Sequence, residues 1–510
     1  MRKAAAKSAI WSVLELGGGQ ALSFLLFLIL TWFLAPSDYG VVALAGALIS
    51  IPNVLINQGF AEALIQREDL RDEHVSTALW SNLAIALAFM AVAIAGADTV
   101  VWISGEREAA PVLRWLSLNF LVTGLTSVPA AIYRRELRFA TFAIRTLAAG
   151  SVAGIVGVAL AAMGYGVWAL VANQVAHGAV TILVIWWGFR IRTFRFSLPA
   201  FRDMASFSAH VMSANLVNYT TTKVDQLIVG TFLGVEALGY YYVSQRLIET
   251  VGAVCYEPVR LIAMPVLSRF QFDRERFDRI YRSLVWTSTA AWLPALGGLA
   301  LLADTFIPLL FGHKWDTAIG LFQVMALVSI TAAIPVHTNR ALLSAGQANE
   351  FRNLSLLQLA ITVVLFALAA RFGMLAVGAA YAAVPLALTP FHLRALGRIG
   401  ISSGWLVLRC LLILVAGLAM AGFVVSTWGA QLPGPGWFRV AFEVLGGALT
   451  YVTVLSVIAR RETVEVVDLI RGMLPGFGCA QFTARKTPHI VGCGHIRARI
   501  RTWPSRSSRS

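Results

Sequence analysis

Fourteen apolar stretches, each long enough to cross a bilayer and separated by short polar connections, govern what this chain can become. They lie near 9–34, 39–61, 77–103, 112–133, 141–163, 166–189, 205–232, 236–267, 284–310, 317–343, 353–371, 374–393, 404–427 and 438–459. A membrane-spanning helix needs about 20 apolar residues, because in hydrocarbon every backbone N–H and C=O must be satisfied within its own segment. The pattern predicts an all-α polytopic membrane protein of about 14 transmembrane helices, the seventh and eighth being the most polar. Composition agrees. Of 510 residues, 58% are hydrophobic and 13% charged, against about 45–50% and about 25% in soluble domains, which leaves too little polar surface for a water-soluble fold.

The net charge of +15 would suggest a nucleic-acid partner in a soluble protein, but here the cations must first be sorted by loop. With the N-terminus in the cytoplasm, 24 of the 41 lysines and arginines fall in inner segments, among them Arg67, Arg71, Arg134, Arg135, Arg138 and Arg145. The outer loops hold five: Arg107, Arg114, Lys314, Arg371 and Arg439. This positive-inside bias predicts that both termini are cytoplasmic, places the loop cations beside membrane lipids, and removes nucleic acid as a partner. The first stretch runs on into a second span without a small-residue cleavage pattern, so it is expected to stay rather than be cut as a signal peptide. Outer connections at 36–40, 164–166 and 371–373 are tight, leaving no room for an external catalytic domain. The four cysteines do not make a disulfide framework. After Asp468 the chain has no acid, and the end reads as a disordered basic tail suited to the membrane surface. Its Cys479, His489, Cys493 and His495 match no common zinc spacing, so no metal and no cofactor is expected.

The turn Leu34 to Gly40 resembles the turn Leu233 to Gly239, 199 residues later: in both, an apolar helix ends at Leu, an acid sits in the turn and Gly opens the next helix. Short glycine turns after the fifth and eleventh stretches recur similarly. The repeat predicts two six-helix lobes in parallel orientation plus two further helices. The expected division is an N-terminal lobe at 1–190, a cytoplasmic linker at 191–204, a C-terminal lobe at 205–398, helices 13 and 14 at 399–460, and the basic tail at 461–510.

Five basic residues remain within or at the edge of spans: Lys223, Arg246, Arg260, Arg340 and Arg409. A charge at mid-helix costs about 2.5–3.5 kcal/mol on insertion scales, so it persists where it faces protein, water or a ligand. At 100° per residue, Tyr242, Arg246, Glu249, Glu257 and Arg260 share one stripe of the eighth helix, with Pro258 offering a kink. Ser208, Asn215, Asn218, Thr222 and Asp225 share a stripe of the seventh, with Lys223 pointing elsewhere; Ser8, Ser12, Glu15 and Gly19 share one of the first. Three polar stripes in oily helices imply a hydrated interior whose arginines suit a phosphate or diphosphate. Two alternatives stand beside this. Arg246 and Glu249 could form an i,i+3 ion pair that only fixes packing. Glu15, Asp225 and Glu249 could serve ion coupling or act as structural polar partners. Arg340 and His337 sit either at a cavity mouth or where an arginine snorkels, Arg409 is placed to snorkel, and His210 and His392 are expected at helix interfaces.

No Walker loop, His-Glu-x-x-His pattern or nucleophile elbow is present, which argues against an ATP-driven pump and against an enzyme. Several segments resemble the lipopolysaccharide O-antigen and capsule flippases, the colanic acid exporter-like branch of the multidrug/oligosaccharidyl-lipid/polysaccharide exporter superfamily. They include Trp11-Ser12, Leu34 to Gly40, Gly59 to Arg67, Arg135 to Phe139, Gly164 to Leu170, Asp225 to Gly234 with Gly239-Tyr240-Tyr241, and Phe311 to Trp315. The resemblance covers about residues 5–460. It implies a two-lobed bundle in the bacterial inner membrane that alternates its opening and moves undecaprenyl-diphosphate-linked oligosaccharide, with polysaccharide polymerase and assembly proteins as further partners. It also implies a cationic central cavity, lined where Asp225, Arg246, Glu249 and Arg260 lie. The rival readings are an ion-coupled multidrug antiporter of the same superfamily, which would want a more acidic interior, and a membrane enzyme or scaffold of polysaccharide assembly.

Overall fold

The computed structural model describes residues 11–460 except 12–13, 68, 192, 402–403 and 429–435, so the tail at 461–510 and the predicted polar residues Ser8 and Ser12 lie outside the described residues. Among the described residues there is no strand. A π-helical turn, Leu14–Gly18, leads into α1 (Gly19–Phe33). The Asp38 carboxylate then accepts the Ala35 N–H at 2.8 Å, and Pro36 takes the first helical position of α2 (Pro36–Gln58). Gly59 separates α2 from the short α3 (Phe60–Gln66). Next come α4 (Asp72–Ala95) and α5 (Ala97–Ser104), divided at Gly96, then α6 (Ala109–Leu116) and α7 (Leu118–Arg135), divided at Ser117. A tight turn through Gly164 and Gly166, with φ of +82° and +54°, joins α8 (Phe139–Ala162) to α9 (Val167–Trp187). The second half contains α10 (Leu198–Phe232), α11 (Gly234–Cys255), α12 (Glu257–Arg269), α13 (Arg274–Leu301) and α14 (Ala303–Phe311). It continues through α15 (Thr317–Ala326), α16 (Ala333–Ser344), α17 (Ala348–Ala369) and α18 (Met374–Arg398). The last pair, α19 (Gly404–Trp428) and α20 (Gly436–Ile458), packs on itself and chiefly on α13.

This is an all-α polytopic membrane protein. Among the described residues eleven spans are long and apolar enough to cross a membrane, or up to thirteen if each of two bent pairs is one span. The bent pairs are α11 with α12, at 52°, and the 317–330 segment with α16, at 43°. The seventh predicted stretch falls outside that count. It is present as α10, a 35-residue helix of mixed polarity, and it starts at Leu198, inside the predicted linker. The local reason is readable: Ser197 Oγ caps the Ala200 N–H at 3.5 Å and Pro199 sits in the first turn. The preceding linker residues are strapped to α4, where Trp80 Nε1 donates to the Phe194 carbonyl at 3.0 Å and the Ser197 N–H donates to Thr77 Oγ1 at 3.0 Å.

The segment Pro36–Gln66 is the most enclosed span, with 61% of its apolar window buried against 17–44% for the others. It packs along α10 and α11, so the two halves of the chain meet on α2. Their closest approach joins the two repeated turns. A Cβ on Gly40 would lie 1.7 Å from the Val235 carbonyl oxygen, and a Cβ on Gly239 would lie 1.8 Å from that of Pro36. Each glycine removes the side chain that would hold the other turn away, the usual device by which membrane helices bring backbones together. Gly40→Ala and Gly239→Ala should each lower the thermal-unfolding midpoint of the detergent-purified protein, by a destabilisation of about 1–3 kcal/mol or more. Gly297→Ala in α13, where a Cβ meets nothing within 4 Å, should leave the midpoint unchanged or raise it. Equal effects at all three positions would show that the turns are not in contact.

Candidate functional site

Arg246, in the middle of α11, donates from Nη2 to Ser23 Oγ of α1 at 2.7 Å, so the guanidinium bridges the two halves of the chain. One turn away on the same face, Tyr242 stacks on Tyr39 of α2 with ring centroids 6.2 Å apart and planes 25° apart. Glu249 is exposed and has no hydrogen-bond or ion-pair partner among the described residues. The predicted alternative of an Arg246–Glu249 pair is therefore not formed: a serine on another helix takes the guanidinium.

The predicted stripe does not run straight through Arg260. The 52° bend between Cys255 and Glu257 carries Glu257 and Arg260 onto α12, where they pair with each other at 2.7 Å, each about one-third exposed. Helix α12 packs on α16, which places Arg340 in the electrostatic field of both Arg260 and Glu257. One turn earlier His337 is fully buried, its Nε2 2.7 Å from Ser288 Oγ of α13. Arg260 and Arg340 thus form a second basic group around one carboxylate.

Asp225 is buried and fully engaged. Its carboxylate accepts from the Tyr241 hydroxyl at 2.6 Å, the Gln226 N–H at 2.8 Å and Gln245 Nε2 at 3.3 Å, while Gln226 donates to Gln245 Oε1 at 2.7 Å. Tyr241 in turn lies edge-on to Phe366 and Tyr381. This arrangement fastens α10 to α11. Lys223 is half-buried on α10, with no hydrogen bond or ion pair among the described residues, and Asp225 lies within its field. The helix carries Asn215 and Asn218, but their side chains, like that of His210, are outside the described residues. His392 is buried, with Nδ1 3.0 Å from the Leu388 carbonyl.

Glu15, in the π-helical turn, meets Arg145 of α8 at 3.3 Å. Arg145 was grouped above with the cytoplasmic loop cations. Instead it lies in the second turn of a helix, 26% exposed, with its guanidinium 5.2 Å from the Phe142 ring centroid. The signal for it is the Phe142–Arg145 spacing of three within an apolar stretch, which puts ring and cation on one face. Among the described residues no three His, Cys, Asp or Glu side chains assemble as metal ligands.

The fold and the site define an all-α polytopic membrane protein whose two halves meet along α2 and α11 and which holds arginines inside its helices. The fold matches that of the lipid II flippase MurJ in an inward closed conformation, with a TM-score of 0.73 over 91% of this chain and 100% of that one at 14% identity. It also matches an inward-facing multidrug resistance MATE transporter of the MOP superfamily, with a TM-score of 0.63 over 74% of this chain and 94% of that one at 15% identity. The chain belongs to the polysaccharide biosynthesis protein family, whose profile matches residues 29–320. Relatives include the succinoglycan biosynthesis transport protein ExoT of Rhizobium meliloti, 26% identical over 65% of this chain and 67% of its own length. The teichuronic acid biosynthesis protein TuaB of Bacillus subtilis is 25% identical over 79% of this chain and 85% of its own length. The lipopolysaccharide biosynthesis protein WzxC of Escherichia coli is 22% identical over 64% and 66%.

Removing the Tyr241 hydroxyl leaves a buried carboxylate short of its nearest donor, which costs about 1–3 kcal/mol. Tyr241→Phe should therefore lower the thermal-unfolding midpoint, while Arg246→Ala, which loses a contact on an exposed serine, should leave it near wild type. A Tyr241→Phe protein as stable as the wild type would show that Asp225 does not fasten these helices.

Proposed function

We propose that this protein is a flippase that carries polyprenyl-diphosphate-linked oligosaccharide, with undecaprenol as the lipid, across the bacterial inner membrane by alternating access. The observation that carries the reading is the placement of Arg246, Arg260 and Arg340 inside spans of a polysaccharide biosynthesis family member. A diphosphate and a row of sugar hydroxyls cannot cross hydrocarbon without a substitute for their hydration. Arginine supplies it best, because its planar fork holds phosphate oxygens in pairs and never loses its charge. The sugar and diphosphate occupy the space between the lobes, the polyprenyl chain stays in lipid through a lateral gap, and rocking of the N-terminal lobe (1–190) against the C-terminal lobe (205–398) completes transfer. In this reading Tyr242, Asn215, Asn218 and Lys223 line the same space, both termini are cytoplasmic, and polymerase and assembly proteins receive the product. The names of the relatives and the lipid II flippase fold support it. The multidrug antiporter reading has less support, since it would want an acidic interior, whereas Asp225 is bound by three donors and Glu257 by Arg260, leaving Glu249 as the one carboxylate of these stripes without a partner among the described residues.

The test is made in spheroplasts of a strain lacking the gene. Lipid-linked oligosaccharide should accumulate where an external glycosidase or lectin cannot reach it, and restoring the gene should relieve this. Normal arrival of the lipid-linked sugar at the outer face with failure of polymer formation would instead place the protein after flipping. In the same assay Arg246→Ala and Arg260→Ala should abolish export at normal protein levels, whereas Arg409→Ala should affect it far less. Wild-type export in both arginine variants would remove these side chains from the substrate path.

A further inference from the structure

Helix α14 stops at Gly312, whose φ of +85° suits glycine, and the chain turns back through the single 3-10 turn His313–Trp315. That turn does not stay within its own half of the molecule. The C-terminal end of α1 leaves carbonyls with no partner in the helix. The Leu34 N–H takes the Leu30 carbonyl at 3.0 Å, and the next two carbonyls are taken by the second half of the chain. Trp315 Nε1 donates to the Thr31 carbonyl at 3.2 Å, and Lys314 Nζ donates to the Trp32 carbonyl at 2.9 Å. A cation at this position also meets the negative end of the helix dipole.

Packing fixes the turn in place. Trp315 is fully buried, edge-on to Tyr39 at 5.7 Å and to Tyr240 at 5.9 Å, and Phe311 meets Phe27 edge-on at 5.8 Å. Burial lowers the Lys314 ammonium below its ordinary pKa, with the Asp38 carboxylate opposing, so the amine is held partly out of water beside α1. These contacts lie beside the Gly40–Gly239 approach, yet they differ in kind. The glycine contact is steric and exchanges nothing with solvent, whereas carbonyls at the end of a span can take water when their partners leave.

We propose that the segment Phe311–Trp315 is the latch of the outer gate: Lys314 and Trp315 cap α1 from the opposite lobe, and the outer side opens when those two hydrogen bonds are exchanged for water. The latch takes alternating access from the proposed function but requires nothing about the substrate. Its test is a distance measurement. Spin labels replace Tyr165 and Phe372, exposed residues of two outer connections in opposite halves, in the full-length chain with its four native cysteines changed to serine, reconstituted in nanodiscs. Lys314→Met keeps the side-chain length and Trp315→Phe keeps an aromatic ring while each removes its donor, and the thermal-unfolding midpoint of each variant shows that the fold is retained before distances are compared. Pulsed electron resonance should show one short-distance population in the parent. The double variant should raise the ratio of long to short distances about 30-fold, the weight of two exchanged hydrogen bonds at about five-fold each. A double-variant distribution that coincides with the parent's, or a parent already at the long distance, overturns the proposal. Because no substrate is present, this measurement can fail while the export assay succeeds, and the reverse.

Discussion

The contact on which the rest of the structure depends is the reciprocal approach of two backbones at Gly40 and Gly239. Each turn lies so close to the other that a single methyl group would overlap a carbonyl oxygen. Through it, α2 and α11 run side by side, Tyr39 reaches Tyr242, and the Arg246 guanidinium comes within hydrogen-bonding distance of α1. The two glycines occupy like places in two like turns, each meeting the carbonyl four residues before the other. Each half presents to the other the same small surface, and the meeting of the two produces a seam with pseudo-twofold character.

Along that seam the membrane dictates how charge is handled. Buried Asp225 is met by three donors, and of the partly buried charges Glu257 is met by Arg260 and Arg145 by Glu15 and a phenylalanine ring. These arrangements are of two types. The Asp225 network is enclosed within the second half and reads as a fastening. The arginines at 246, 260 and 340 retain partial exposure, which leaves donors able to turn toward a ligand. The two types differ in enclosure rather than in the kind of residue.

Much of this was legible in the sequence because hydropathy is a long-range average that local accidents do not disturb. The spans, the polar seventh helix and the facing of Tyr242 and Arg246 all come from periodicity. What periodicity cannot supply is the partner. Ser23 and Arg246 are 223 residues apart and Glu15 and Arg145 are 130 apart, so nothing local favoured either pair over the neighbour three residues away. For the stripe through Arg260 the sequence offers a kink at Pro258 but not its size: the 52° bend at Tyr256 resets the angle between the two helices. The start of α10 was readable from Ser197 and Pro199, but the polar Arg202 and Asp203 disguised it as linker.

That long helix carries one more implication. The first turns of α10 lie against α3, with Phe201 packed on Phe60 and Asp203 paired with Arg67, while its last turns hold α11 through Asp225 and touch α2 at Gly230. No loop interrupts the path between them. A helix advances about 1.5 Å and turns about 100° with every residue, so one inserted residue in its middle would swing the Asp225 face a quarter-turn and more away from Tyr241. Helix α10 thus behaves as a ruler and a protractor at once, and its residue count is set by the contacts that hold its two ends.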